Sequence, residues 1–298
     1  RRRHRIFIPF MPLAARFLDL GDEYDLVVSD TAGFAKGISY GKKTKHLSYI
    51  HTPLRYAWEE EFLHGVVNNW QLAIGRPILN YLKNWDYKMA QRPEKLLTNS
   101  RFIAGKIKNY YGREAEVIYP PVDTKRFYPE KSPSNYYLAV GRLLHYKRFD
   151  LVVEAFLKLG LPLKIIGSGS EEPKLKKLAA GAANIEITPF LNSEDELRKI
   201  YSGAKAFIFP QVEDFGLVAA EAQSCGVPVI AYAAGGALEI VEEGKTGLFF
   251  REQTPDALAE AVQLFEKKDF NRKIITESAK RFSKETFKKS FLTAAFSV

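Results

Sequence analysis

A single cysteine, Cys225, stands in a chain of 298 residues, so no intramolecular disulfide can form and a reducing, cytoplasmic setting is the expectation. It lies beside Gly226 in an Ala-rich segment with no thiolate-activating base near it in sequence, and reads as core. No apolar run reaches the roughly 18 residues that a membrane-crossing helix needs. Low-complexity tracts and short-period repeats are absent, as are a Walker A loop and a GxSxG elbow. The five histidines and the one cysteine show no metal-ligand spacing, so no metal is expected. The chain opens on Arg1-Arg2-Arg3-His4-Arg5 without Met or an apolar signal core, which reads as a truncation point.

What is present is ordinary for a globular protein: 46% hydrophobic and 27% charged residues. At roughly 100 to 200 residues per domain the length predicts two domains, each with its own core. The net charge of +9 is uneven, with 19 Lys and Arg against 12 Asp and Glu in residues 1–120 but 25 against 23 in the remainder. A basic first part fits a nucleic acid, an anionic lipid surface, a phosphorylated substrate or merely a solvated face. Nucleic acid is disfavoured, because the aromatic residues fall in apolar helical patterns rather than among basic ones.

Short apolar runs alternate with helical patterns along the whole chain. Strands are predicted at Asp25–Ser29, His46–Ile50, Lys95–Thr98, Glu116–Ile118, Tyr136–Val140, Leu163–Ile166, Ile185–Ile187, Ala206–Phe209, Val227–Ala231 and Gly247–Phe250, with helical segments between them. One long aromatic helix is expected from about Glu59 to Gln91, broken near Gly75-Arg76-Pro77. The alternation predicts an α/β fold with parallel sheets, and excludes all-α and all-β folds. The connector Tyr119-Pro120-Pro121-Val122-Asp123 marks the domain junction, with two doubly wound domains expected to face each other across a cleft.

Loops after the carboxyl ends of parallel strands carry the chemistry in such folds. After the strand ending at Val140 comes Gly141-Arg142 with Lys147, two cations able to converge on an anion. Gly167-Ser168-Gly169-Ser170 follows the next strand; it is a weak phosphate-site signal, and these four residues alone favour a plain strand-to-helix turn over it. Glu213-Asp214-Phe215-Gly216-Leu217 precedes an Ala-rich helix expected to start around Phe215, which would place Glu221 about two turns in, roughly 10 Å along the axis. Two carboxylates so spaced suit the two diols of an extended ligand, and the helix N-terminus between them suits a negatively charged linker. Ribose, diphosphate and hexose have that layout. Gly235-Gly236 through Glu239 is equally well a glycine turn or a ligand contact, and His51 follows the strand ending at Ile50 at the same kind of edge, where a lone histidine is more often structural.

These motifs in this order, with the turn Gly244-Lys245-Thr246-Gly247, resemble the retaining glycosyltransferases of family GT4. The resemblance covers essentially the whole chain and implies the GT-B fold of two facing Rossmann-like domains. It implies an incomplete N-terminal, acceptor-side domain at residues 1–121, a C-terminal nucleotide-sugar domain at 122–281, and a helix at 282–298 crossing back. Within the family, the segments 49–58, 84–86, 98–100, 119–123 and 146–148 resemble GDP-mannose-dependent α-mannosyltransferases of polysaccharide and O-antigen assembly. The resemblance implies that Arg142 and Lys147 bind the donor diphosphate, Glu213 the hexose and Glu221 the ribose. Gly141, Gly167, Phe215, Gly216 and Leu217 would line the donor, and His51 would reach toward the hexose.

No cofactor beyond the nucleotide sugar is implied, and the acceptor is expected to be lipid-linked or a polysaccharide at the inner face of the cytoplasmic membrane. Ser170 stands where the family usually has proline and Pro189 where glycine is common. The family's N-terminal glycine-rich loop is not found, and the resemblance implies that more than one βαβ unit precedes Arg1, which would leave this chain inactive. A UDP-sugar donor in the same fold, and a catalytically silent sugar-nucleotide-binding scaffold, are the alternatives.

Overall fold

The computed structural model describes residues 3–59, 69–130, 134–191 and 193–298. The chain divides into two compact units, Arg1–Tyr119 with Lys289–Val298, and Pro120–Lys288. The first division falls within the connector 119–123, and the second within the last helix.

In the first unit, β1 (Leu26–Thr31), β2 (Lys45–Ile50), β3 (Lys95–Thr98) and β4 (Glu116–Val117) form a parallel sheet in sequence order. Its helices are α1 (Met11–Phe17), α2 (Arg55–Trp58), α3 (Asn69–Ala90) and α4 (Arg101–Tyr111). The Ser100 hydroxyl caps α4 by accepting from the Ile103 N–H, and Gly112 ends it at φ 68°. Ile103, Ile107 and Tyr111, spaced at one helix face, pack with Ile50 and Leu96.

Two expectations change here. Between β1 and β2 there is only a short turn at Ala35–Gly37, where Gly37 lies so close to Trp85 that a Cβ would sit 2.3 Å from the ring. Helix α3 runs through Pro77 without breaking. Proline costs a helix interior about 3 kcal/mol, but Leu82, Asp86 and Ala90 line one face and are fully buried, and that packing outweighs it. The start of that expected helix, 60–68, lies outside the described residues.

The hub of this unit is a wholly buried ion pair, Lys36 Nζ to Asp86 Oδ1 at 2.5 Å. The other carboxylate oxygen accepts from the Tyr111 hydroxyl (2.6 Å), Trp58 Nε1 (2.8 Å) and the Leu54 N–H (3.2 Å), while Lys36 also donates to the Gly33 carbonyl at 2.8 Å. One carboxylate therefore joins α2, α3 and α4 to the loop after β1.

The second unit holds β5 (Tyr137–Val140), β6 (Leu163–Ile166), β7 (Ile185–Thr188), β8 (Ala206–Phe209), β9 (Val229–Tyr232) and β10 (Gly247–Phe250). All are parallel, in the order β10-β9-β8-β5-β6-β7. Its helices are α5 (Phe149–Leu159), α6 (Glu172–Leu178), α7 (Glu194–Gly203), α8 (Leu217–Ser224), α9 (Ala237–Ile240), α10 (Pro255–Phe265) and α11 (Arg272–Ala279), followed by α12 (Lys284–Phe296). Val152 and Phe156 of α5 and Leu258 and Val262 of α10 pack in one core with Ile165, Ile208 and Ile230. The strand order runs one way from β5 to β7 and the other way from β8 to β10. The switch point, where such sheets bind ligands, thus lies between β5 and β8.

Removing one member of the buried pair leaves an uncompensated charge. Lys36→Ala is expected to cost roughly 3–5 kcal/mol in urea unfolding, against less than about 1 kcal/mol for the exposed pair partner Lys158→Ala; equal losses would refute the hub role.

Candidate functional site

Lys147 and Glu213 meet at the switch point. The loop after β5 makes a 3-10 turn at His145–Lys147 and passes through Arg148 at φ 55° before α5 begins. Lys147 is buried, and its ammonium pairs with a carboxylate oxygen of Glu213 in the loop after β8. Buried Gln211 donates from Nε2 to the same oxygen at 3.2 Å. Arg142 is not a member of this ion pair. It is exposed, and its guanidinium donates at 3.4 Å to the hydroxyl of Tyr146, whose ring centroid lies 5.5 Å from Lys147 Nζ. The expected pair of converging cations is instead a cation–carboxylate pair with the second cation beside it.

Glycine makes the loops fit. The Gly141 N–H donates to the Ile166 carbonyl at 3.0 Å. A Cβ on Gly167 would fall 1.9 Å from the Gly141 carbonyl oxygen, and one on Gly169 2.2 Å from that of Leu143. The glycine turn after β6 is therefore required for backbone to lie on backbone. Gly235 and Gly236 do the same after β9: a Cβ would meet the Glu213 carbonyl oxygen at 2.5 Å and the Phe215 carbonyl oxygen at 2.1 Å, and the Gly236 N–H donates to the Glu213 backbone carbonyl at 2.9 Å. The segment 213–216 is held in place by this contact.

Helix α8 begins at Leu217 rather than Phe215. Gly216 at φ 105° supplies the left-handed turn, with Phe209 so close that a Cβ would meet its ring at 2.7 Å. The Phe215 side chain is buried edge-on against Phe282, with ring centroids 5.3 Å apart, so only its backbone is placed to line a donor, whereas the Leu217 side chain is exposed. Glu221 consequently lies one turn into α8, about 6 Å along the axis, rather than two. Its carboxylate accepts from the Tyr201 hydroxyl at 3.2 Å, and burial pushes its pKa up to about 7. Burial likewise raises the Cys225 thiol to about 12, which makes it inert.

His51 belongs to the first unit. Its N–H donates to Thr31 at 2.8 Å, its carbonyl accepts from Asn99 Nδ2 at 3.0 Å, its ring Nε2 is 2.6 Å from Asp30 Oδ1, and the Tyr49 ring stands edge-on to it. Sequence reasoning missed Gln211, Tyr201 and Asp30. Gln211 and Asp30 lie at or just past strand carboxyl ends, a signal that could have found them; Tyr201 gives none. Among the described residues no three His, Cys, Asp or Glu side chains gather as a metal site.

Residues 123–289 match the family model described as glycosyl transferases group 1, and residues 1–126 that of glycosyltransferase family 4. An uncharacterized glycosyltransferase of Methanocaldococcus jannaschii is 29% identical over 64% of this chain and 55% of its own length. A D-inositol 3-phosphate glycosyltransferase of Geodermatophilus obscurus is 29% identical over 70% of this chain and 55% of its own. The chain thus spans 55% of each of these curated relatives. Among solved structures, Anabaena HepE in complex with UDP and glucose superposes with a TM-score of 0.73 at 18% identity, covering 93% of this chain and 78% of that one. Sucrose-phosphate synthase from Thermosynechococcus elongatus superposes at 0.68 and 19%, covering 91% and 73%.

The raised pKa of Glu221 has a stability consequence. An unfolded glutamate ionises near 4.5 and this one near 7, so between those values the folded state keeps a proton that the unfolded state has lost, and stability falls as pH rises. Glu221→Gln removes that slope and is expected to be more stable at pH 8 by roughly 1–3 kcal/mol. Parallel urea melts of both proteins at pH 5 and pH 8 check it; unchanged differences would contradict the burial argument.

Proposed function

The chain belongs to the group 1 glycosyl transferases and has the GT-B fold, and from that premise we propose that it transfers a hexose from a nucleotide sugar, mannose from GDP-mannose, with retention, to a lipid-linked oligosaccharide or polysaccharide acceptor. The observation that carries the reading is the Lys147–Glu213 pair at the switch point, with Glu221 one turn into the adjacent helix. Departure of a nucleoside diphosphate creates negative charge. Lys147 and Arg142, with the N-terminus of α8, offset it without invoking a metal.

When a diphosphate arrives, Lys147 exchanges a carboxylate for a phosphate, and Glu213 is released to accept hydroxyls of the transferred sugar. Glu221, ionised, accepts the ribose diol. The leaving phosphate takes the proton of the attacking acceptor hydroxyl, so the bond to the sugar's anomeric carbon forms as that to phosphate breaks.

The mannose assignment is supported by the segments 49–58 and 84–86. A uridine donor is the second reading, favoured by the likeness to HepE, solved with UDP and glucose, while Ser170 and Pro189 depart from the family pattern near the base pocket and weaken the guanine assignment. Calorimetric titration with GDP, UDP, GDP-mannose and UDP-glucose separates the two. Tight GDP binding abolished by Glu221→Ala supports the donor site and its guanine base, a UDP preference moves the reading to the second donor, and no binding by a folded sample leaves a silent scaffold. Because Glu221 must be ionised to accept two hydroxyls, affinity is expected to fall on the order of tenfold from pH 8 to pH 5.5. Chelation of divalent metals should leave it unchanged.

A place on the inner face of the cytoplasmic membrane is supported by the basic surplus in residues 1–120 and by the exposed side chains of Phe10 and Phe17, 64% and 77% accessible. The chain is expected to sediment with phosphatidylglycerol vesicles at low salt, to be released as salt rises, and to lose binding in the Phe10→Ser/Phe17→Ser double variant. Failure to sediment at low salt would remove the membrane from the proposal.

A further inference from the structure

Gln253 lies in the loop after β10, yet it ties together the loops after β5 and β8. In the sheet order β10 is separated from β8 by β9, and from β5 by both. Its side-chain oxygen accepts from the Arg148 guanidinium at 3.0 Å, and its amide nitrogen donates to the Pro210 carbonyl at 2.8 Å. One side chain therefore bridges the carboxyl edge of the sheet over the switch point. The two points it holds are next to the functional pair: Arg148 follows Lys147, and Pro210 precedes Glu213 by three residues in the loop that Gln211 also braces.

Arg148 is the one non-glycine residue with a positive φ among those described, at φ 55° and ψ 35°. A residue with a Cβ is held there only when its surroundings over-determine it. Glycine would take that turn without cost, as Gly216 does ahead of α8. What arginine adds is the guanidinium, which reaches Gln253 and, from Nε, Asp150 Oδ1 at 3.4 Å. The left-handed residue also reverses the chain, so that Lys147 turns to Glu213 while its neighbour turns to Gln253.

We infer that Arg148 and Gln253 are positioning residues, a clamp that holds the Lys147 loop and the Glu213 loop at the separation the pair requires. Neither residue is proposed to touch the reacting atoms. The clamp is read from the pair's own geometry; its effect on substrate rests on the donor-site reading above. It fixes the place of the diphosphate by fixing Lys147, and it lets Lys147 leave Glu213 for a phosphate without the two loops drifting apart.

The test uses two readouts in the full chain. Acylation of lysines by an N-hydroxysuccinimide ester, followed by mass spectrometry, reports how firmly Lys147 is held whether or not a nucleotide binds. Arg148→Gly and Gln253→Ala are expected to speed Lys147 labelling about threefold or more, with Lys205, paired to Glu266 elsewhere, as the unchanged control. GDP and UDP affinity should fall about tenfold in each variant. The double variant should be no worse than either single one, because one clamp is lost only once, and Arg148→Lys should restore most of the loss.

Arg148→Gly also relieves the backbone, so its melting temperature should hold or rise while Lys147 labelling speeds up; a purely structural brace would lower the melting temperature as labelling rises. Unchanged Lys147 labelling in Arg148→Gly and Gln253→Ala overturns the clamp, even in a chain that binds nucleotide. Faster labelling in a chain that binds neither GDP nor UDP upholds the clamp and overturns the donor-site reading instead.

Discussion

Lys147 and Glu213 are separated by 66 positions in the chain and meet because β5 and β8 are hydrogen-bonded neighbours. That adjacency is a property of the winding: the chain lays down β5, β6 and β7 outward, then returns to the other side of β5 and continues to β10. Every strand is parallel, so all six carboxyl ends lie at one edge, and only at the reversal do two consecutive halves of the fold open a crevice. The remaining features of the second unit serve that meeting. Gly235 and Gly236 bring the loop after β9 against the backbone at 213–216, and Gly167 and Gly169 bring the loop after β6 against 141–143. The loops that flank the pair are thus each supported by the next loop out along the sheet.

This gives the glycines a different meaning from the one a ligand-centred reading assigns. A glycine-rich turn before a helix suggests a place where backbone approaches a phosphate. Here the close approach is backbone to backbone, with positions for a Cβ at 1.9 to 2.5 Å from carbonyl oxygens of neighbouring loops. Those positions are indispensable without any ligand, so they locate the site's walls rather than its occupant.

The alternation of apolar runs and helical patterns was enough to foresee the ten strands of the described residues, because parallel strands buried on both faces are continuous apolar runs that no surface requirement interrupts. Boundaries set by special backbone were less legible. The start of α8 moved from Phe215 to Leu217 because Phe215 is taken by the core against Phe282 and Gly216 makes the left-handed turn, which also moved Glu221 from two turns into the helix to one. Pro77 read as a break because its local cost is visible in sequence, while the buried face of Leu82, Asp86 and Ala90 that overrides it is tertiary. Lys147, Glu213 and Glu221 could be named from the residue types that follow strands. Their pairing could not, and Gln253 had no signal at all, since its role depends on reaching over two strands.

Each of the two units contains a lysine–carboxylate pair central to its surroundings, and the contrast between them separates a locked scaffold pair from the pair proposed to hold the donor. Asp86 accepts from a tyrosine, a tryptophan and a backbone N–H in addition to Lys36, both ionic partners are wholly inaccessible, and any exchange of partners would strand a charge in the core. Glu213 has Lys147 and Gln211, and a quarter of its side chain remains accessible. Parting that pair returns a carboxylate to the vicinity of solvent and frees a cation for an anion of the right size, a change that costs little compared with disrupting Asp86. Three hydrogen bonds on one carboxylate oxygen and full burial lock the first pair; partial exposure at the mouth of the switch point is what lets the second, on the proposed reading, change partners.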